Sequence, residues 1–304
     1  MDAPAPFTNP AITARGEARA SVDFRGLDTL WLNTGTLCNL ACEHCYIESS
    51  PTNDRLVYLH RSDVRRMLDE VAAGGHPLSE IGITGGEPFM NPDIDGIIAD
   101  CLGTGVDVLI LTNAMTPMRH HKDALRRMRS PRLTLRVSLD HYDPVRHEKE
   151  RGPRSFRPAM EGLKWLSDEG FEVAVAGRLF DSGDEAGMRS GYADMFARES
   201  IDIDAHDPER LVLFPEMDDS SQVPEITTAC WQILGKNPDD LMCASQRMLV
   251  RRKGAEQATL AACTLLPYDP EFDLGPTIRG ASGSVALNHR WCAQFCVLGG
   301  GSCG

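Results

Sequence analysis

From Thr29 to Phe214 the chain repeats one unit, a short apolar run followed by a turn and an amphipathic stretch with helical spacing. This alternation is the pattern of β/α units, whose strands pair in parallel and hide both faces under helices. The spacing predicts strands at Thr29–Asn33, Glu80–Thr84, Val106–Leu111, Leu133–Asp140 and Phe171–Ala176. A sixth is expected around Ala205 or at Leu211–Phe214. Helices are expected at Ser62–Ala73, Ile94–Leu102, Lys122–Met128, Phe156–Glu169 and Glu185–Glu199. Ser62 is suited to cap the first, which places Val64, Met67, Leu68 and Val71 on one face, and Gly170 suits the end of the fourth. Six strands with their helices make an open, partial (β/α)6 barrel, whose chemistry belongs at the C-terminal ends of the strands. The expected organisation is an N-terminal extension over residues 1–27, the barrel over 28–214 and a small cysteine-rich C-terminal domain over 215–304.

Composition narrows the class. Hydrophobic residues make up 42% of the 304, enough for a real core, and no uninterrupted apolar run approaches a membrane span. The stretch Met1–Pro10 has no basic-then-apolar signal segment, so the chain is expected in the cytoplasm with no membrane partner. Its ten cysteines are then expected to serve as ligands or core thiols rather than as disulfides. A formal charge of −13 argues against nucleic acid, despite the arginines clustered from Arg126 to Arg136.

Three cysteines follow the first strand at once, in the run Thr36-Leu37-Cys38-Asn39-Leu40-Ala41-Cys42-Glu43-His44-Cys45-Tyr46. Three thiolates so spaced can hold three corners of an iron–sulfur cube and leave the fourth iron without a protein ligand. Zinc held by the same thiols and His44 is the rival, although adjacent His44 and Cys45 make awkward tetrahedral ligands. The second strand ends in Gly85-Gly86-Glu87-Pro88. Its glycines permit close approach of backbone to a ligand, Glu87 offers charge to an ammonium group and Pro88 stiffens the turn.

Together these two motifs resemble those of the radical S-adenosylmethionine (SAM) enzymes, over about residues 28–214. The resemblance implies a [4Fe–4S] cluster on Cys38, Cys42 and Cys45 whose open iron binds SAM. It implies that Tyr46 approaches the adenine and that Gly85, Gly86 and Glu87 receive the methionine amino group. Asn113 after the third strand would line the cofactor pocket. Ser138 after the fourth would bond ribose or carboxylate, and Arg178 after the fifth would pair with the carboxylate. Reductive cleavage of SAM would give a 5′-deoxyadenosyl radical that abstracts hydrogen from substrate, with an electron donor such as flavodoxin or ferredoxin as partner. His141, at the barrel mouth with His147 and Glu148 nearby, is a candidate for substrate contact or proton transfer. His206 and Asp207 stand at another candidate strand end.

The last 90 residues hold six cysteines: Cys230, Cys243, Cys263, Cys292, Cys296 and Cys303. This region resembles the shortened auxiliary-cluster, or twitch, domain of some radical SAM enzymes, and lacks the CxxC pair of the longer SPASM pattern. Six thiols suffice for one further [4Fe–4S] cluster, drawn from Cys243, Cys263, Cys292, Cys296 and Cys303, with Cys230 outside it. Structural zinc there is the alternative. Trp231, Trp291 and Phe295 could wall a substrate chamber or simply pack. A small polar metabolite or amino-acid-like molecule is the favoured substrate. The alternatives are a peptide brought by a separate recognition partner, or a zinc- or cluster-stabilised binding protein.

Overall fold

The computed structural model describes residues 5–180, 183–215 and 222–301. Its centre is one sheet of eight strands: β1 Thr29–Asn33, β2 Glu80–Thr84, β3 Asp107–Thr112, β4 Leu133–Ser138, β5 Glu172–Leu179, β6 Leu211–Pro215, β7 Gln246–Val250 and β8 Thr259–Ala261. The spatial order is β6-β5-β4-β3-β2-β1-β7-β8. The first six strands pair in parallel with their sequence neighbours, as an open barrel requires. Helices α1 Arg61–Gly74, α2 Ile94–Gly103, α3 Lys122–Met128, α4 Pro144–Arg151, α5 Phe156–Asp168 and α6 Glu185–Glu199 lie along the connections. No described helix is long and apolar enough to cross a membrane.

Side chains alternate across each strand, and β1 shows what that does. Leu30 and Leu32 enter the apolar cluster shared with the helices, which includes Met67, Ile81, Ile97 and Leu163. Trp31 points the other way, into a second cluster with Leu109, Met248 and Val250. The C-terminal stretch fills this second cluster with Cys243, Leu265, Cys292 and Phe295. Gly82 on β2 makes room for Trp31, since a Cβ there would lie 2.3 Å from the indole ring.

Three features depart from the sequence reading. Beyond the six expected strands, β7 pairs in parallel with β1, Thr29 standing opposite Gln246, and β8 runs antiparallel to β7. The cysteine-rich stretch is thus joined to the barrel sheet. The residue before α1 is His60, whose N–H donates to Asp63 (3.3 Å), so Ser62 lies inside the helix rather than capping it. His206 and Asp207 precede β6 at its N-terminal side, where Asp207 takes part in the turn that leads into the strand.

Helices α1 and α2 are clamped by Asp100, which accepts from Arg61 (2.6 and 2.7 Å) and from Arg65 (2.8 and 3.1 Å). These bonds, chiefly those from Arg61, hold its carboxyl at about 2, below the ordinary 3.8. A carboxylate with a depressed folded-state pKa stabilises above its unfolded value and loses that contribution as pH falls through the lower one. Asp100→Asn is therefore expected to cost about 1 kcal/mol at neutral pH, an amount reduced by solvent screening, and the difference should vanish between about pH 4 and pH 2. Urea unfolding of both proteins across that range measures it.

Candidate active site

The loop after β1 is held by backbone before any ligand is considered. Thr34 N–H donates to Thr84 O (2.8 Å), Gly86 N–H to Gly35 O (2.8 Å), Glu87 N–H to Leu37 O (3.2 Å) and Cys38 N–H to Ser50 O (3.1 Å). The turn after β2 therefore lies directly on the chain leading to Cys38. Here the structure adds a second reason for the glycines. Gly85 has φ +141°, and a Cβ on it would meet Gly35 O at 2.6 Å; a Cβ on Gly86 would meet Leu37 O at 2.3 Å. They are needed so that two loops can touch, and both also line the cavity beyond.

That cavity opens at the C-terminal ends of the strands and gathers most of the expected residues: Cys38, Cys42, Cys45, Tyr46, Asn113, Ser138 and Arg178. Leu40 N–H points at Cys38 Sγ (3.4 Å) and Ser49 N–H at Cys45 Sγ (3.3 Å). Asn113 Nδ2, from the loop after β3, donates to Asn39 Oδ1 (2.9 Å) of the cysteine loop. Burial pushes the Cys38 thiol up to about 12 and raises Cys42 as well, against the pull of the Arg151 charge. Thiols in such surroundings ionise when a cation takes the proton's place.

Glu87 is placed otherwise than expected. It is 1% exposed and absent from the cavity wall. One carboxylate oxygen accepts from Thr112 Oγ1 (2.8 Å) and Phe89 N–H (3.2 Å), the other from Asn113 N–H (2.8 Å). Burial raises its carboxyl to about 7 although these bonds favour the charge. It ties the β2 and β3 loops together and reaches the cavity through Asn113. His141 is likewise turned away. It is buried among Tyr142 and Phe180, its Nδ1 accepts from Asp143 N–H (2.8 Å), and it forms no part of the cavity wall. Burial, then Arg146, lowers its pKa. His147 is fully buried against Phe156, and burial with the Arg151 charge holds it down at about 4.

Several wall residues carried no role in the sequence reading. Arg151, in the last turn of α4, donates to both oxygens of Asp140 (2.9 and 3.1 Å) and borders the cavity with it. Burial works against the Arg151 charge, but Asp140 and the Cys42 sulfur outweigh it and the pKa rises. Burial likewise opposes the Asp140 charge, and Arg151 and Arg178 overturn that to lower its pKa. Arg178 also reaches His44 O (3.4 Å). Ser49 Oγ is buried on the wall with no hydrogen-bond partner among the described residues. His44, the zinc alternative's fourth ligand, instead meets Glu150 through Nδ1 (2.7 Å).

The C-terminal cysteines form a separate group. Cys243 and Cys292 are buried in the inner cluster, with Cys230, Cys263 and Cys296 packed against it. Cys292 opens the π-helix Cys292–Leu298, which also carries Cys296. Cys230 accepts locally from Thr227 N–H (3.4 Å). Cys303 lies outside the described residues.

The Radical SAM superfamily model matches residues 32–180, which contain both motifs and the strands that carry them. The chain belongs to the radical SAM superfamily. It is 33% identical over 145 residues to the antilisterial bacteriocin subtilosin biosynthesis protein AlbA of Bacillus subtilis (strain 168), covering 47% of this chain and 31% of AlbA. It is 27% identical over 143 residues to the AdoMet-dependent heme synthase of Nitratidesulfovibrio vulgaris, covering 45% of this chain and 36% of that one. The chain thus spans about a third of the length of these curated relatives. Among solved structures, SuiB of Streptococcus suis bound to S-adenosylmethionine has a similar fold, with a TM-score of 0.61 at 14% identity over 82% of this chain and 63% of that one. A structure of anSMEcpe with bound AdoMet gives 0.59 at 12% identity, over 86% and 81% of the two chains.

The superfamily implies a [4Fe–4S] cluster and SAM, and the cavity's donor set fits them. Three thiols converge beside two guanidinium groups, and an unpaired Ser49 hydroxyl faces the same space. Because the Gly86 Cβ position is filled by Leu37 O, Gly86→Ala should shift the Cys38 backbone and destabilise by about 1–3 kcal/mol. Iron bound per chain after anaerobic reconstitution should fall with it, whereas Gly283→Ala, with nothing within 4 Å of the new Cβ, should leave both unchanged.

Proposed function

We propose that this chain is a radical SAM oxidoreductase that cleaves SAM reductively and abstracts hydrogen from an amino-acid-like or peptide substrate. The supporting observation is the convergence of Cys38, Cys42 and Cys45 with Ser138, Arg151 and Arg178 on one cavity. Bound there, the cluster and SAM supply one-electron cleavage of a carbon–sulfur bond and hydrogen-atom abstraction. Cys38, Cys42 and Cys45 hold the iron. Arg151, braced by Asp140, sets positive charge against the Cys42 and Cys45 sulfurs. Arg178 pairs with the cofactor carboxylate, which a guanidinium matches bidentately. Ser138 and Asn113 bond its polar groups, and Tyr46, 38% exposed at the rim, covers the adenine. Cys243, Cys263, Cys292 and Cys296 ligate a second [4Fe–4S] cluster, with Cys230 outside it.

The rest of the cavity wall supports one of the two substrate classes over the other. Its remaining wall is mostly apolar, with Leu111, Phe214, Pro215, Leu265 and Phe295 beside the polar Thr84 and Thr112, and Phe214 stacks on Phe295 at 6.2 Å. Such a wall favours an apolar side chain over a small polar metabolite, because polar groups buried against it would go unpaired. It also excludes water from the reacting carbon. Two similar proteins carry names that agree, AlbA in bacteriocin biosynthesis and SuiB bound to the precursor peptide SuiA.

Anaerobic reduction of the reconstituted chain with SAM should release 5′-deoxyadenosine, and the Cys42→Ala protein should release none. Stable zinc without cleavage would support the binding-protein reading instead. Arg178→Gln should weaken SAM binding by about ten- to a hundredfold with iron content unchanged, as expected for one lost charged hydrogen bond. Arg151→Gln should lower iron retention first. Equilibrium binding of SAM beside iron analysis separates the two arginines.

A further inference from the structure

Arg247, the second residue of β7, is fully buried. Its guanidinium donates to the carbonyl oxygens of Cys243 (2.7 Å), Gln246 (2.7 Å), Ala281 (2.8 Å) and Gly283 (3.4 Å), and it lies over the Phe24 ring at 4.2 Å. Every acceptor it reaches among the described residues is a neutral backbone carbonyl. Arg19, also buried, faces Glu225, and the half-buried Arg151 faces Asp140. A full charge buried without a counter-ion is costly, and the carbonyls of two short helical turns return only a fraction of a charge.

The ionisable side chains whose charge acts on Arg247 are Cys243 and Cys263. Cys243 also offers it a backbone carbonyl, so the guanidinium is fixed relative to that cysteine. Cys292 shares the same buried cluster as Cys243, with Cys263 packed against it. We propose that Arg247 is the built-in counter-charge of the second iron–sulfur cluster and sets its reduction potential, an inference that rests on the reading of such a cluster above. Reduction adds negative charge to a cluster already carrying thiolates. A fixed cation beside it, at low dielectric, stabilises the reduced form more than the oxidised one and raises the potential. Arg247 is thus a positioning and tuning residue, acting on the cluster through Cys243 and Cys263 without touching substrate.

The test is an EPR-monitored redox titration of the full chain, reconstituted anaerobically, as wild type, Arg247→Gln, Phe24→Glu and Phe24→Gln. Arg247→Gln removes the charge. Phe24→Glu keeps the guanidinium and places a carboxylate against it, with Phe24→Gln as its neutral control. The proposal expects the second cluster to titrate at lower potential in Arg247→Gln and in Phe24→Glu than in wild type and Phe24→Gln. The cluster on Cys38, Cys42 and Cys45 should titrate unchanged in all four. A purely structural Arg247 would lower thermal stability and leave the potential where it was. Equal potentials in Phe24→Glu and Phe24→Gln overturn the proposal even where Arg247→Gln does not fold. A wild-type chain that binds about four irons rather than about eight overturns the second-cluster reading itself, and is recognised by iron analysis before any titration.

Discussion

The structure depends on the contact between two backbone turns. Gly86 N–H on Gly35 O and Glu87 N–H on Leu37 O lay the turn after β2 along the chain that enters the cysteine loop. With β1 and β2 in register from Thr29 opposite Glu80 to Asn33 opposite Thr84, the position of Cys38 follows from the sheet. Glu87 extends the same chain of bonds sideways to Thr112 and Asn113 on β3. Three adjacent strands thereby fix one wall of the cavity, and the glycines are there because no side chain fits between the turns. Rigid support of this kind is what a reactive site needs from its scaffold.

Charge is managed as carefully as shape. The chain is acidic, with a formal charge of −13, yet arginines are brought to the cysteines. Arg151 stands against Cys42 and Cys45, and Arg247 against Cys243 and Cys263. The two differ in a telling way. Asp140 pairs with Arg151 and holds it rigid at the cavity wall, while Arg247 meets only carbonyls among the described residues. Two clusters with different counter-charges would hold different potentials. The inner apolar cluster that carries the second set of cysteines also supplies Phe295 and Leu265 to the cavity wall. One packed body therefore links the proposed clusters to the substrate wall.

What could be read from the sequence was what is local. Strands β1 to β6 are contiguous apolar runs in a repeating unit, and their order in the sheet follows their order in the chain. Cys38, Cys42 and Cys45 share one loop, so spacing alone brings them together. Strand β7 was hidden because its partner, β1, is over 200 residues away and no β/α repeat surrounds it. Arg151 sits in the charged run Arg146-His147-Glu148-Lys149-Glu150-Arg151, which reads as a solvated helix face. Only the return of α4 against the end of β4 brings it to Asp140. His141 was misjudged for the converse reason. It is adjacent to Asp140 in sequence, but the chain bends at Asp140, and His141 goes into aromatic packing with Tyr142 and Phe180 instead of onto the wall. Glu87 could have been separated from the two glycines before it by asking where a buried carboxylate finds donors.

The central claim is that three thiolates leave one iron free to bind SAM through its amino and carboxylate groups. Electron–nuclear double resonance on the reduced protein with SAM carrying 15N in the amino group tests it at the atom concerned. The account predicts a nitrogen hyperfine coupling strong enough to require direct iron–nitrogen bonding, lost when Cys38, Cys42 or Cys45 is replaced. A reduced, fully loaded protein that shows no such coupling, its fourth iron held by a side chain of its own, would contradict it.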